Sequence, residues 1–340
     1  MKLTTFTHND RTHFGFAIDD RVVPFSAFDA DTSALRSVDN YLDDLDAAFP
    51  AAQAIAARVA NDPALLVEGK TAFAITDVTL ELPLKPVMFY DMLTSPTHVY
   101  LSAKTMLKYE MNAVLRATVM PHLLRKQKKA SEDLSQPEVP EYYKGNVASF
   151  TGTGSPLVWP HYTSFLDVEP ELAFVTGNST GSKVAGYLII NDCSARDIQM
   201  PEIGGTRLGP QRSKDFQNVM SPFIVTPDEK DPFDCKVDVR IGDRHHWTGR
   251  SDKYALPPHE AVAFMEKTAR LQPGTLIALG TIPRCNCLDN DIWVQPGDKI
   301  RVEFEGIGIM ENTVAAPEYL DRAQATRWGE RADLKQYYKG

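Results

Sequence analysis

Residues 184–199 constrain this chain more than any other stretch. Val184–Ile190 is a nearly unbroken apolar run, the pattern of a strand covered on both faces. It passes at once into Asn191-Asp192-Cys193-Ser194-Ala195-Arg196-Asp197-Ile198-Gln199. Polar side chains at the end of a buried strand lose their water, and each is costly unless paired or ligating. A fold for this chain must therefore assemble partners around that cluster. Asp192 is a candidate metal carboxylate. The alternative is a helix N-cap at Asp192 or Ser194, which explains one polar residue well and the cluster poorly. Arg196 and Gln199 stand three apart, on one face of a helical turn, where they can hold a substrate carboxylate or carbonyl.

Upstream lies Phe165-Leu166-Asp167-Val168-Glu169-Pro170-Glu171-Leu172. Side chains alternate along a strand, so Asp167, Glu169 and Glu171 share one face. Like charges there repel. Either the strand is exposed, or a cation sits among the carboxylates. Oxygen ligands of this kind suit Mg²⁺, Mn²⁺ or Ca²⁺ rather than zinc.

Other signals are individually weaker. Asp91 and His98 flank a turn containing Ser95-Pro96, and a lone histidine is as readily structural as catalytic. Lys214, in LGPQRSKDF, reads alone as a surface lysine. Cys285-X-Cys287 has no second pair at metal-ligand spacing and reads as inert thiols. His245-His246 falls on a hairpin arm beside the Gly242-Asp243 turn. Gly152-Thr-Gly154-Ser lacks the lysine and following helix of a phosphate loop.

The chain divides into an N-terminal α+β module, residues 1–81, and a larger domain, residues 82–340. The module opens with strands near Leu3–Thr7, Phe14–Ile18 and Arg21–Phe25. Helices over about 37–48 and 51–60 follow. A helix-like stretch from Pro96 to about Lys129 ends in a basic run. It reads either as a mobile lid over an anionic substrate, spanning about 95–134, or as a solvated helix face leading into a loop. Beyond residue 150 strands dominate, with one convincing helix, Pro258–Ala269. Strands and helices do not alternate regularly, so a doubly wound sheet is disfavoured. The expected class is α+β, predominantly β. A net charge of −9 makes nucleic acid an improbable partner. The longest apolar runs are far too short to span a membrane, and the first residues do not read as a secretory signal. Four cysteines make no disulfide framework and suit a cytoplasmic protein.

Five segments in order resemble the fumarylacetoacetate hydrolase family. They are D-V-E-P-E-L at 167–172, A-G-Y-L-I-I-N-D-C-S-A-R-D-I-Q at 185–199, S-P-F-I-V-T-P-D-E at 221–229, A-L-G-T-I at 278–282 and P-G-D-K-I-R-V-E-F-E-G-I-G at 296–308. The resemblance covers about residues 82–315. It implies a mixed β-roll, a divalent cation (Mg²⁺, with Mn²⁺ or Ca²⁺ possible) and a homodimer. It further implies that Glu169, Glu171 and Asp192 bind the metal, with Asp91 as fourth ligand and His98 as base. Tyr143 and Thr281 match substrate contacts, and Arg196, Gln199 and Lys214 match substrate and oxyanion contacts. Leu93 and Ile203 replace substrate-contacting tyrosines. The loop from Gln199 to Lys214 is slightly longer than in the family enzyme. No counterpart is identifiable for the glutamate that orients the base. The smaller acylpyruvases carry one three residues after the histidine, where this chain has Leu101.

The expected function is metal-dependent hydrolysis of a C–C bond in a small anionic β-diketo or 2-oxo acid, such as an acylpyruvate or a relative of fumarylacetoacetate. The metal would act as Lewis acid and His98 as base towards water. Lys214, Arg196 and Gln199 would stabilise the oxyanion. The alternative is a metal-dependent lyase that decarboxylates an oxaloacetate-like acid, which needs no base for water. A non-enzymatic, metal-stabilised scaffold is a third reading.

Overall fold

The structure is a computed structural model that describes residues 1–28, 33–133, 140–206 and 209–340. Two strands form its centre, Pro170–Thr176 and Val184–Asp192, buried at every residue. They pair antiparallel, with Pro170 opposite Asn191. On its other edge Pro170–Thr176 pairs antiparallel with Thr275–Thr281, where Glu171 faces Thr281. Thr275–Thr281 runs parallel to Met88–Met92, which places Ala278 opposite Asp91. Asp91 in turn faces Tyr143 on the strand Tyr142–Lys144. This register aligns the candidate residues Asp91, Tyr143, Glu171, Thr281 and Asp192 at one end of one sheet.

The sheet is apolar on both faces, as continuous hydrophobic strands require. Leu172, Phe174, Ile189, Ile277 and Leu279 enter one core. Their alternates Ala173, Val175, Leu188, Ile190, Leu276 and Ala278 enter a second. The first core is closed by another sheet, built from Lys236–Ile241, His245–Arg250, Lys299–Phe304, Gly308–Val314 and Pro156–Leu157. Its hairpin turns where the Gly242-Asp243 signal places it, with Ile241 opposite His245. The second core is covered by the helices α1, Val38–Asp43, and α2, Leu45–Asn61.

The N-terminal strands Lys2–His8, Arg11–Ile18 and Arg21–Pro24 form a meander. They join the large sheet directly, since Lys2 pairs with Val225 and Leu3 with Ile224. The helices divide at Asp44 rather than near Pro50. The Asp44 side chain accepts from the Ala47 N–H and starts α2, which accommodates Pro50 in its interior.

The stretch 96–129 is three helices rather than one: α3, Pro96–Glu110; α4, Ala113–Thr118; and α5, Met120–Asp133. Asn112 makes the break by accepting from the Leu115 N–H. Leu134, the expected end of the lid, and most of the proline-bearing loop after it lie outside the described residues. The helical turn expected at Arg196–Gln199 is a short helix, α6, Arg196–Pro201, and a second, α8, Cys287–Asn290, is too short to leave a periodic pattern in the sequence. The expected helix α7 spans Pro258–Thr268. No helix among the described residues is long and apolar enough to cross a membrane. All four cysteines are buried and unpaired.

Candidate active site and metal centre

The three acids of D-V-E-P-E-L do not stay together, because the strand bends. Leu166–Asp167 pairs with Ser194–Ala195, and a separate strand begins at Pro170. Asp167 accepts from the backbone N–H groups of Cys287 and Leu288, and so anchors the N-terminus of α8. It also accepts from Arg196 Nε at 2.8 Å. Glu169 faces a ring of donors: Arg196, Lys214, Ser194 Oγ at 2.8 Å and Thr281 Oγ1 at 2.7 Å. Glu171 is turned towards Asp91 and Asp192.

Those last three carboxylates form the metal-like group. Asp91, Glu171 and Asp192 are buried, and each offers an oxygen within 4.8 Å of the others. Burial first, then repulsion from Glu171 and Asp192, raises the Asp91 pKa well above the usual range. Burial and the charges of Asp192 and Glu169 push Glu171 up to about 8. Asp192 Oδ1 is buried and has no hydrogen-bond partner among the described residues. Its other oxygen accepts from Tyr143 at 2.7 Å and from Lys214. Asp167 and Glu169 are buried beside these three acids, and the cations Arg196 and Lys214 pair with Asp167, Glu169 and Asp192. An all-oxygen donor set, an orphaned carboxylate oxygen and mutually repelling buried carboxylates fit a hard divalent cation. Thr281 Oγ1 lies 3.0 Å from Glu171 Oε1, and the Gly280 N–H donates to Glu171 Oε2, fixing that carboxylate from its strand neighbour.

Neither Asp192 nor Ser194 caps α6; Ala195 occupies that position without a side-chain bond. Arg196 sits in the first turn and is 2% exposed, its planar fork committed to Asp167, Glu169 and Gln199 Oε1, the last at 2.6 Å. The pair expected on one helical face does meet, but each holds the other. Lys214 is buried between Glu169 and Asp192. Residues 207 and 208 of the loop between Gln199 and Lys214 lie outside the described residues.

His98 lies in the first turn of α3, buried, with Nε2 3.2 Å from Glu169 Oε1. Its Nδ1 is 2.9 Å from Asp289 Oδ1. Asp289 belongs to α8 and is held in turn: its N–H donates to Asn286 Oδ1, and its Oδ2 accepts from the Arg284 N–H at 2.8 Å. Burial lowers the His98 pKa, but Asp289 and Glu169 outweigh it and raise it to about 9. Asp289 is the carboxylate partner that no sequence pattern revealed. The only local sign is Asn286-X-X-Asp289, an N-cap spacing that fixes a helical turn and says nothing about what the turn faces.

The family profile described as Fumarylacetoacetate (FAA) hydrolase C-terminal matches residues 114–315. An uncharacterised protein of Pyrococcus horikoshii is 30% identical over 194 residues, 54% of this chain and 81% of that protein. The human mitochondrial oxaloacetate tautomerase FAHD2A is 26% identical over 195 residues, 54% of this chain and 61% of that protein. Among solved structures, maleylpyruvate hydrolase from Sphingobium sp. SYK-6 in complex with manganese(II) and pyruvate shares the fold. Its TM-score is 0.60 at 18% identity, with 93% of this chain and 99% of that chain covered.

Proposed function

Because this chain belongs to the fumarylacetoacetate hydrolase family, we propose that it is a divalent-metal-dependent hydrolase that cleaves a C–C bond in a small 2-oxo or β-diketo acid. The observation that carries this reading is the His98–Asp289 contact beside the carboxylate cluster. Hydrolysis needs a base for water, and decarboxylation does not. A solved structure of the same fold, a maleylpyruvate hydrolase, holds manganese(II) and pyruvate, a 2-oxo acid.

Asp91, Glu171 and Asp192 would hold the cation, with Glu169 beside them. Bound there, a Mg²⁺ or Mn²⁺ ion supplies Lewis acidity for paired carbonyl or enolate oxygens. Asp289 holds Nδ1–H of His98, which leaves Nε2 to take a proton from water. Asp289 and Glu169 both favour the protonated ring, so His98 would serve as a base only where part of their field is offset. Lys214 is the cation best placed to stabilise a developing oxyanion, because burial leaves its ammonium unscreened. Arg196 and Gln199, bonded to each other, position Glu169 rather than reach for substrate. Tyr143 orients Asp192, and Thr281 orients Glu169 and Glu171. The helices α3–α5 carry His98 and the basic run, and we assign them the role of a lid that excludes water. A homodimer is proposed on the family resemblance.

The test is a turnover screen with Mg²⁺ and Mn²⁺ on acylpyruvates, fumarylpyruvate, fumarylacetoacetate and oxaloacetate. Cleavage of a β-diketo acid that falls by about 10²–10⁴-fold in His98→Ala supports the reading. Oxaloacetate decarboxylation or tautomerisation that survives the substitution, without any hydrolysis, overturns it.

A further inference from the structure

An open surface cavity of about 350 Å³ is lined by Thr97, Thr248, Arg250, Lys253, Pro283 and Arg284, with Gly249 between the second and third of these. Three of these are cations, and no carboxylate lines the space. Arg250 pairs with Asp234 and, at 3.4 Å, with Asp252; Lys253 reaches Asp252 at 3.1 Å. Both acids stand outside the lining. The Arg284 guanidinium has no hydrogen bond or ion pair among the described residues. Its backbone sits at φ +62°, the left-handed region where a side chain is strained. An unpartnered cation held at a strained position is the kind of outlier that accompanies a binding role.

The surroundings favour negative charge further. Thr97 is the second residue of α3, whose first residue, Pro96, has no N–H. Thr97 therefore brings the N-terminal end of α3 to the rim of the cavity. Gly249 closes the floor: a Cβ there would stand 2.5 Å from Ile282 Cγ2 and 2.7 Å from Cys285 Sγ. The strand bearing Arg250 is thus packed without slack on the turn bearing Arg284.

We propose that this cavity is a second ligand site, for a compact dianion such as inorganic phosphate or a four-carbon dicarboxylate. Its volume suits a small molecule. Three cations line it, one of them, Arg284, unpaired among the described residues, a setting in which charge-assisted hydrogen bonds to an anion are strong. The site adjoins both members of the histidine–aspartate pair. Thr97 precedes His98 in the chain, and the Arg284 N–H donates to Asp289 Oδ2. An anion drawn to the Arg284 guanidinium acts on the peptide that holds Asp289, so occupancy alters turnover. That coupling rests on the hydrolase reading; the binding does not.

Thermal unfolding of the Mg²⁺-loaded full chain tests the binding, with inorganic phosphate and succinate in separate series at ionic strength held constant with chloride. A saturable rise in Tm is expected with at least one of them. Phosphate alone identifies a phosphoryl ligand and succinate alone a dicarboxylate. Arg284→Gly, which tolerates the left-handed backbone, and Lys253→Ala should each weaken the apparent affinity at least about tenfold. An equal rise in both variants, or none beyond chloride, overturns the site. This arm uses no substrate, so its failure is distinct from failure of the hydrolase reading. For the coupling, Lys253→Ala should turn over like the parent without anion. Saturating anion should change the parent's kcat or KM at least about twofold and leave Lys253→Ala unaffected. Parent turnover indifferent to the anion overturns the coupling.

Discussion

His98 Nδ1 lies 2.9 Å from Asp289 Oδ1, across 191 positions of sequence. One residue stands in the first turn of α3, the other in α8, and the strand Thr275–Thr281 delivers the chain to α8. Asp167 anchors α8 at its N-terminus while binding Arg196, so one carboxylate ties the histidine's partner to the guanidinium on Glu169.

Asp289→Asn should lower kcat by about 10²-fold or more, because the amide presents the wrong group to Nδ1–H and frees the ring to take the wrong tautomer. KM should move little, since Asp289 does not reach substrate. The double variant with His98→Ala should lose hardly more than His98→Ala alone, because the pair acts as a unit. Steady-state kinetics of the three proteins decides; additive losses would separate the two residues.

Glu171→Gln should raise the Tm of EDTA-treated protein, since it removes one of the mutually repelling carboxylates. In the parent, Mn²⁺ at one hundred times its Kd should add about 2.7 kcal/mol of stability. The variant should gain much less. A parent whose melting is indifferent to Mn²⁺ would speak against a cation among these carboxylates.

Gly280 sits at φ +98° with a built Cβ 2.7 Å from Met92 O, and its N–H holds Glu171. Gly280→Ala therefore forces backbone apart beside the cluster. It should cost about 1–3 kcal/mol and weaken Mn²⁺ binding at the same time. Chemical denaturation and a metal titration measure the two effects, and a variant as stable as the parent would show that the strand yields freely.

Asp197 is buried beneath Thr163 and Ser164, which donate to it. Burial pushes its pKa up to about 7 against those bonds. The folded state thus holds the proton more tightly than the unfolded chain. The stability this supplies is full below about pH 4 and is lost as pH rises through about 7. Relative to Asp197→Asn, the parent should lose on the order of 3 kcal/mol between pH 5 and pH 8. Denaturant unfolding of both proteins across that range tests the sign, and a constant difference would mean that Asp197 is ionised throughout.

Much of this was legible in the residues. Val184–Ile190 announced a strand covered on both faces, and its polar end announced a site, because desolvated polar groups must find partners near at hand. The hairpin at Gly242-Asp243 and the helix Pro258–Thr268 followed from local turn chemistry and periodicity. Alternation failed at Asp167, Glu169 and Glu171 because it assumes a straight strand. A bend at Val168–Glu169 sends the first acid to a helix terminus, the second to two cations and the third towards Asp91 and Asp192.

What the sequence determined by itself is which segments are buried, which polar side chains go in with them, and the charge they carry. Those properties follow from neighbours along the chain. Only the tertiary structure decided who faces whom. The register of Met88–Met92 against Thr275–Thr281 sets Asp91 into the cluster, and the packing of α8 against α3 sets Asp289 against His98. Arg196 and Gln199, three apart and readable as a substrate clamp, are held by each other and by Asp167. A contact between residues far apart in sequence is fixed by shape and by sheet register, and neither leaves a local mark on the residues that meet.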